Sequence, residues 1–140
     1  MQRRQFVRTA AGALAATALP GCAVFVATPV TPVNGEIRLA IRNFPQLAQP
    51  GGHLKIRPAG SERVLYVLAA DGGRFAVLSS VCTHLRCTVN VEGAELRCPC
   101  HGSTFDREGV VLRGPATQAL QRFPATVTDG ELVIRYEGGA

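Results

Sequence analysis

The strongest constraint in this sequence is a pair of short blocks that combine cysteine with histidine. The blocks, Cys82-Thr83-His84-Leu85-Arg86-Cys87 and Cys98-Pro99-Cys100-His101-Gly102-Ser103, hold four of the five cysteines and two of the three histidines. Each offers a cysteine and a histidine two or three residues apart, and the thirteen residues 85–97 lie between the two pairs. One hairpin of that length can bring two loops together. The spacing therefore predicts a two-loop Cys₂His₂ site.

Outside these blocks, the sequence predicts a single domain that is mostly β. The chain has 140 residues, and its first thirty or so differ from the rest, which leaves about 100 residues for one folded unit. Short runs rich in Val, Ile, Leu and Phe alternate with glycine turns, and no long amphipathic helix interrupts them. The predicted strands are 36–41, 54–57, 63–69, 74–79, 96–97, 110–113 and 132–136. His53, which lies apart from both blocks, is predicted to be a surface strand residue.

The two blocks resemble those of Rieske iron–sulfur proteins, which have the patterns Cys-Thr-His-Leu-Gly-Cys and Cys-Pro-Cys-His-Gly-Ser. The resemblance implies one [2Fe–2S] cluster, with Cys82 and Cys98 on one iron and His84 and His101 on the other. It also implies a disulfide between Cys87 and Cys100, and an all-β fold of short antiparallel sheets with a small cluster-binding subdomain formed by two loops. Two neutral imidazoles in place of two thiolates raise the potential of such a cluster.

A structural zinc site is the plain alternative, because cysteine and histidine at short spacings also suit tetrahedral Zn²⁺. Six candidate ligands are too many for it. Four ligands and one disulfide, as in the Rieske pattern, account for every cysteine and histidine of both blocks. An oxidising compartment, which the disulfide needs, is also what the N-terminus predicts.

Four further residues are implied by the same resemblance to surround the cluster. Ser103 is available to donate a hydrogen bond to a bridging sulfide. Phe105 stands where high-potential members have a tyrosine that donates to a ligand sulfur, so an intermediate potential is expected. Gly114 and Pro115 match the loop that shields the cluster from solvent. Arg86 departs from the pattern, because glycine is usual there and a positive φ would strain an arginine by about 1 kcal/mol or more.

Residues 1–27 are predicted to be an export signal or an anchor. Arg3 and Arg4 resemble the twin-arginine signal for proteins exported in the folded state, and no charged residue occurs in 9–30. Three outcomes fit the segment: lipidation at Cys22 after a lipobox-like sequence, retention as a membrane anchor, or cleavage that leaves a soluble protein. Residues 28–35, rich in proline, are predicted to be a semi-rigid linker, and 36–140 the Rieske domain.

The expected function is one-electron transfer by an exported subunit of a membrane respiratory complex that resembles quinol–cytochrome c reductase. Its donor would be a quinol-oxidising cytochrome b-type subunit and its acceptor a c-type cytochrome, with a membrane contact through the N-terminus. The small subunit of an arsenite oxidase-like molybdenum enzyme is an alternative, with the large subunit as donor. A Rieske ferredoxin of an oxygenase is a third, which the disulfide pair and the export signal oppose.

Catalysis of bond-making by this chain alone is not expected, so no catalytic residue is assigned. The expected location is the periplasm or the outer face of the bacterial cytoplasmic membrane. Nucleic acid is not an expected partner. The net charge of +5 includes Arg3, Arg4 and Arg8, and the rest of the chain holds twelve basic and ten acidic residues without a basic stripe.

Overall fold

The protein is described by a computed structural model that covers residues 26–138. The export signal predicted for the N-terminus, with Arg3, Arg4 and Cys22, lies outside these residues. The described part is all β apart from three short 3₁₀ helices, Ile41–Asn43, Pro45–Ala48 and Asp71–Gly73. None of the described helices has the length and apolar character needed to cross a membrane. The predicted fold class is confirmed.

Two sheets form the base of the domain. The strands of the first sheet, in spatial order, are β1 (Thr28–Val30), β3 (His53–Pro58), β4 (Leu65–Ala69), β5 (Phe75–Ser79) and β10 (Arg122–Phe123). The second sheet consists of β11 (Ala125–Thr128), β12 (Glu131–Arg135) and β2 (Glu36–Ala40). All neighbours are antiparallel except β1 and β3, which are parallel.

A third sheet, separate from the base, carries the cysteine and histidine loops. It contains β6 (Asn90–Glu92), β7 (Glu95–Arg97), β8 (Thr104–Asp106) and β9 (Val111–Arg113), all antiparallel. Its hairpins turn at Gly93 and Gly109, which have φ of 61° and 88°. A side chain at Gly109 would also press on Leu78 at 3.1 Å, so glycine is needed there for space as well as for its backbone conformation.

The first sheet separates two hydrophobic cores. On β4, Leu65 and Val67 pack toward the second sheet, whereas Tyr66 and Leu68 pack toward the third. Burial on both faces explains why this strand is apolar throughout instead of alternating with polar residues. The buried Tyr66 hydroxyl donates to the Val89 carbonyl oxygen at 2.7 Å, so it adds a polar link between the base and the loops above it.

The N-terminal part of the described chain differs from the predicted linker. Thr28–Val30 forms the edge strand β1, and the Val33 and Glu36 main chains exchange hydrogen bonds of 2.8 and 3.0 Å around a tight turn. Proline is tolerated in an edge strand because only one side of the strand needs its N–H groups. Thr28–Val30 therefore pairs with β3, and the main chain of Val33 is bonded to that of Glu36, so 28–35 packs as part of the folded domain.

Several short elements were not predicted from local patterning. β6, β10 and β11 have two to four residues each, and two 3₁₀ helices follow β2. The predicted strand character of His53 is confirmed, since it begins β3, but its side chain is half-buried and packs edge-on against the Tyr66 ring at 6.4 Å between centroids. These short elements and the burial of His53 depend on contacts with residues that are distant in sequence.

Candidate metal centre

Two loops at the end of the third sheet share one backbone pattern. In the first, the Cys82 N–H donates to the Cys87 carbonyl oxygen at 2.7 Å, and the Arg86 N–H donates to the Cys82 carbonyl at 3.0 Å. In the second, the Cys98 N–H donates to Ser103 at 2.8 Å and the Gly102 N–H to Cys98 at 3.0 Å. The spacing in sequence is the same, so each block folds into the same turn.

This equivalence explains the strain predicted at Arg86. Arg86 and Gly102 occupy the same place in their loops, and both have positive φ, 66° and 79°. Glycine adopts this conformation freely, whereas an arginine there costs about 1–2 kcal/mol. The condition stated for Arg86, a positive φ at this position, is therefore met.

The loops bring the two candidate cysteine ligands together in the buried core. Cys82 and Cys98 are free thiols, 0% and 2% exposed. Burial raises the pKa of the Cys82 thiol, and the nearby Cys98 thiol adds to this effect, while the His84 backbone N–H and the Ser103 hydroxyl donate to the Cys82 sulfur and oppose it. A bound cation would stabilise both thiolates, since a coordinated thiol loses its proton.

The candidate histidine ligands meet at the surface. The imidazole rings of His84 and His101 are 4.9 Å apart between centroids and perpendicular to each other. The Nδ1 atom of His84 is buried and has no hydrogen-bond partner among residues 26–138. A buried nitrogen without a partner is costly unless a ligand satisfies it.

The cysteines and histidines therefore fit a two-iron cluster. The two loops supply two buried thiols and two imidazoles in mutual contact, and one buried imidazole nitrogen has no partner among residues 26–138. A different group of three sulfur atoms, those of Cys87, Cys98 and Cys100, also lies close together, within 4.8 Å of one another. Two of these three are joined in a disulfide and cannot act as thiolates.

The disulfide links the two loops. Cys87 and Cys100 are bonded at 2.01 Å between sulfurs, with 6.5 Å between their Cα atoms, and they are 13 residues apart in sequence. The predicted pairing is confirmed. The sulfur of Cys98 lies within 4.8 Å of both bridge sulfurs, so the bridge joins the loops beside a candidate ligand.

A third loop, which follows β9, packs against both ligand loops. The Ala116 N–H donates to the Ser103 hydroxyl oxygen at 2.9 Å, and the Thr83 hydroxyl donates to the Gln118 carbonyl at 2.6 Å. Gly114 and Pro115 are exposed, whereas Ala116 is buried in the core beneath the site. The predicted shielding loop is thus anchored at two points next to the candidate ligands.

Phe105 lies beneath the site. It is fully buried in β8 opposite Leu96, in the same core as Cys82 and Cys98. Its ring carries no polar atom, so at this position the chain presents no donor to a cluster sulfur.

Arg107 is a structural residue of this region that local sequence patterns did not identify. From the turn between β8 and β9, its guanidinium donates to the carbonyl oxygens of Gly93 at 3.0 Å and Gly52 at 2.8 Å. It therefore ties both hairpins of the third sheet to the base. Burial lowers the pKa of Arg107, and Arg107 in turn helps burial to lower the pKa of His53. No sequence signal was available, because both acceptors are main-chain atoms.

Comparison with known proteins gives concordant results. Residues 40–124 match the family model described as the Rieske [2Fe-2S] domain. The cytochrome b6-f complex iron-sulfur subunit of Chlorobaculum tepidum is 27% identical over 137 residues, which cover 95% of this chain and 75% of that protein. The same subunit from Trichodesmium erythraeum is 50% identical over 59 residues, 41% of this chain and only 33% of that protein.

A solved structure shares the fold. The cyanobacterial plasma membrane Rieske protein PetC3 from Synechocystis PCC 6803 superposes with a TM-score of 0.56 and 28% identity, over 65% of this chain and 92% of that one.

Proposed function

The chain belongs to the Rieske [2Fe–2S] family, and on that premise we propose that Cys82, His84, Cys98 and His101 hold its single cluster. The cluster supplies one-electron transfer, at a potential raised by its two neutral ligands. Cys82 and Cys98 would be the ligands of one iron, and His84 and His101 the ligands of the other.

The observation that carries the assignment is the buried Nδ1 atom of His84, which has no partner within the described part of the chain. Burying such an atom unsatisfied costs about 1–3 kcal/mol, so a metal bond there removes a penalty. The exposed imidazole of His101 lies 4.9 Å from the His84 ring between centroids. A cluster held by these residues would exchange electrons at the histidine side, because Cys82 and Cys98 are buried in the core.

Coordination by two histidines can be tested on nitrogen itself. The holoprotein is labelled with ¹⁵N-histidine, reduced with dithionite and examined by pulsed EPR. Two strongly coupled nitrogens are expected, with an average g-value below that of an all-cysteine cluster. The His53→Ala variant should keep both couplings, whereas His84→Ala and His101→Ala should lose the spectrum. An average g-value typical of four cysteine ligands would reject the proposal.

The wider assignment rests on the relatives. The relatives from Chlorobaculum tepidum and Trichodesmium erythraeum are cytochrome b6-f complex iron-sulfur subunits, although this chain matches only 33% of the Trichodesmium protein. The proposed role is an electron-transfer subunit of a quinol-oxidising membrane complex, between a cytochrome b-type subunit and a c-type cytochrome. Isolation of the tagged full chain from its own membranes tests this. Co-isolation of b-type haem is expected, and a molybdenum enzyme in its place would favour the alternative.

The proposed location is the outer face of the bacterial cytoplasmic membrane, with 1–27 acting as the export signal or anchor. Export in the folded state suits a protein whose cluster is inserted beforehand. Replacing Arg3 and Arg4 together with lysine should retain the holoprotein in the cytoplasm, as seen by cell fractionation. Arg8→Lys is the matched control and should not change the distribution. Unchanged export of the double variant would reject a twin-arginine route.

A further inference from the structure

The charge of the domain is distributed unevenly around the site. Three segments surround it, 79–91, 98–105 and 109–121, and they contain no aspartate or glutamate. Their two cationic residues are Arg86 and Arg113. Residues 26–138 hold twelve basic and ten acidic residues in total, so the remainder is balanced at ten against ten. The whole net positive charge of the domain therefore lies in these segments.

Both arginines are available for a partner. Arg86 and Arg113 are exposed, and neither has a side-chain hydrogen bond or ion pair within residues 26–138. Three other exposed arginines of the domain are paired with glutamates, as Arg97 is with Glu92 at 3.2 Å. Arg42, which lies next to the second sheet, is exposed and has no ion pair among residues 26–138. Arg113 pairs with Thr104, immediately after the second ligand loop, and Arg86 belongs to the first.

The same area exposes an apolar side chain. Leu85, between His84 and Arg86, is 63% exposed. A large apolar residue in the open, next to the unpaired cation Arg86, has the arrangement of a small docking interface with an apolar centre and a charged rim. We name His84, Leu85, Arg86, His101 and Arg113 together the site face.

The backbone conformation at Arg86 is a second indication that this side chain has a functional role. Its φ of 66° strains any residue except glycine, and Gly102 occupies the equivalent position in the other loop. Strain that persists beside a functional site points to a role for the side chain. Here that side chain is a cation held next to the candidate ligands.

We propose that the site face docks a redox partner whose own electron-transfer surface carries carboxylates. The inference rests on the proposed function and adds the chemistry of the partner. Opposite charges would steer the two redox groups together and fix their orientation, mainly through the association rate. Two cations attract an anionic lipid surface only weakly, so a protein partner is favoured over a membrane.

Small oxidants of opposite charge measure the field at the site face. The full-length holoprotein is reduced and mixed in a stopped-flow instrument with ferricyanide, an anion, or with tris(phenanthroline)cobalt(III), a cation. Each complex takes one electron from the reduced cluster, giving ferrocyanide or the cobalt(II) complex, and no bond is made or broken. A change in cluster potential alters both rates in the same direction, whereas a change in surface charge alters them in opposite directions.

At low ionic strength, Arg86→Gln and Arg113→Gln should each slow the reaction with ferricyanide about threefold and accelerate that with the cobalt complex by a similar factor. Arg86→Lys should restore the wild-type rates. The control Arg42→Gln removes the same net charge next to the second sheet, on the far side of the first sheet from the site. It should change either rate by less than about 1.3-fold.

A matched pair of protein oxidants extends the test to docking. Cytochrome c is compared with the same cytochrome after succinylation, which converts its surface lysines into carboxylates. The wild-type holoprotein should favour the succinylated form at low salt, and the double variant Arg86→Gln with Arg113→Gln should lose this preference.

The outcomes separate the two proposals. Equal effects of Arg42→Gln and Arg86→Gln, or no preference between the two cytochromes, would overturn the docking surface while electron transfer persists. Binding to phosphatidylserine vesicles that depends on Arg86 and Arg113, without a preference between oxidants, would also overturn it in favour of a lipid surface. If the proposed function is wrong, the wild-type protein would instead show neither the cluster spectrum nor any electron transfer.

Discussion

The hydroxyl oxygen of Ser103 accepts the backbone N–H of Ala116 at 2.9 Å, and Ser103 is fully buried. Because the oxygen is occupied as an acceptor by the third loop, the hydroxyl hydrogen is free to point the other way, toward the Cys82 sulfur. One side chain thus fixes a loop and presents a donor to the candidate centre.

Ser103→Ala should therefore lower both stability and reduction potential. The Ala116 N–H loses its buried acceptor, at a cost of about 1–3 kcal/mol in unfolding free energy. Loss of a donor to sulfur destabilises the reduced, more negative state of the cluster. Voltammetry and urea unfolding measure the two effects. The control Ser79→Ala removes another buried serine, which accepts the Val81 N–H, and should reduce stability alone. An unchanged potential in Ser103→Ala would contradict this role.

Phe105→Tyr should raise the reduction potential. The ring lies in the same buried core as Cys82 and Cys98, so a new hydroxyl there has few acceptors other than sulfur. A hydrogen bond to a ligand sulfur favours the reduced state. Phe123→Tyr is the control, because Phe123 packs beside Tyr136 in the other core. Voltammetry should show a rise for Phe105→Tyr only, and an unchanged or lower potential would contradict a hydrogen bond from the new hydroxyl to a ligand sulfur.

Arg107→Met should loosen the third sheet from the base. The substitution keeps much of the aliphatic stem but removes the donors to Gly52 and Gly93. The expected loss is about 1–2 kcal/mol of unfolding free energy, since the guanidinium is only half-buried. Hydrogen exchange should accelerate in the turns at 93–94 and 107–109. Arg97→Met, on the same sheet with an exposed ion pair, should stay within about 0.5 kcal/mol of wild type. Equal losses in both variants would contradict a specific role for Arg107.

Replacing Cys87 and Cys100 together with serine should lower the unfolding free energy by about 3 kcal/mol, the loop-closure effect expected for a bridge between residues 13 apart. Thermal unfolding followed by circular dichroism measures it. Wild type treated with a phosphine reductant should approach the double variant in melting temperature. If the reduced wild type melts as the oxidised form does, the bridge contributes nothing measurable.

The sequence predicted those parts of the structure that depend on local chemistry. The blocks around Cys82 and Cys98 determine their own turns, and the replacement of a usual glycine by Arg86 marked the position at which a positive φ would cause strain. The disulfide followed from the family resemblance and is present. The four ligands remain a prediction, supported by the meeting of His84 with His101 and by the free nitrogen of His84.

The remaining features depend on contacts between distant segments. Arg107 acts on carbonyl oxygens of Gly52 and Gly93, and main-chain acceptors leave no trace in sequence. Thr28–Val30 is a strand only because β3 offers an open edge, and its proline spacing by itself is equally typical of an extended linker. Two-residue strands such as β10 are too short for any periodicity to appear.

The pairing of β1 with β3 limits how far the domain can travel. Residues 28–35, fully extended, would span about 26–29 Å and would give a tethered carrier a long reach between donor and acceptor. Folded into the sheet and the turn at Val33 and Glu36, they add nothing to that reach. The segment moves together with the domain. The distance over which His84 and His101 can move therefore depends on the residues that precede Thr28.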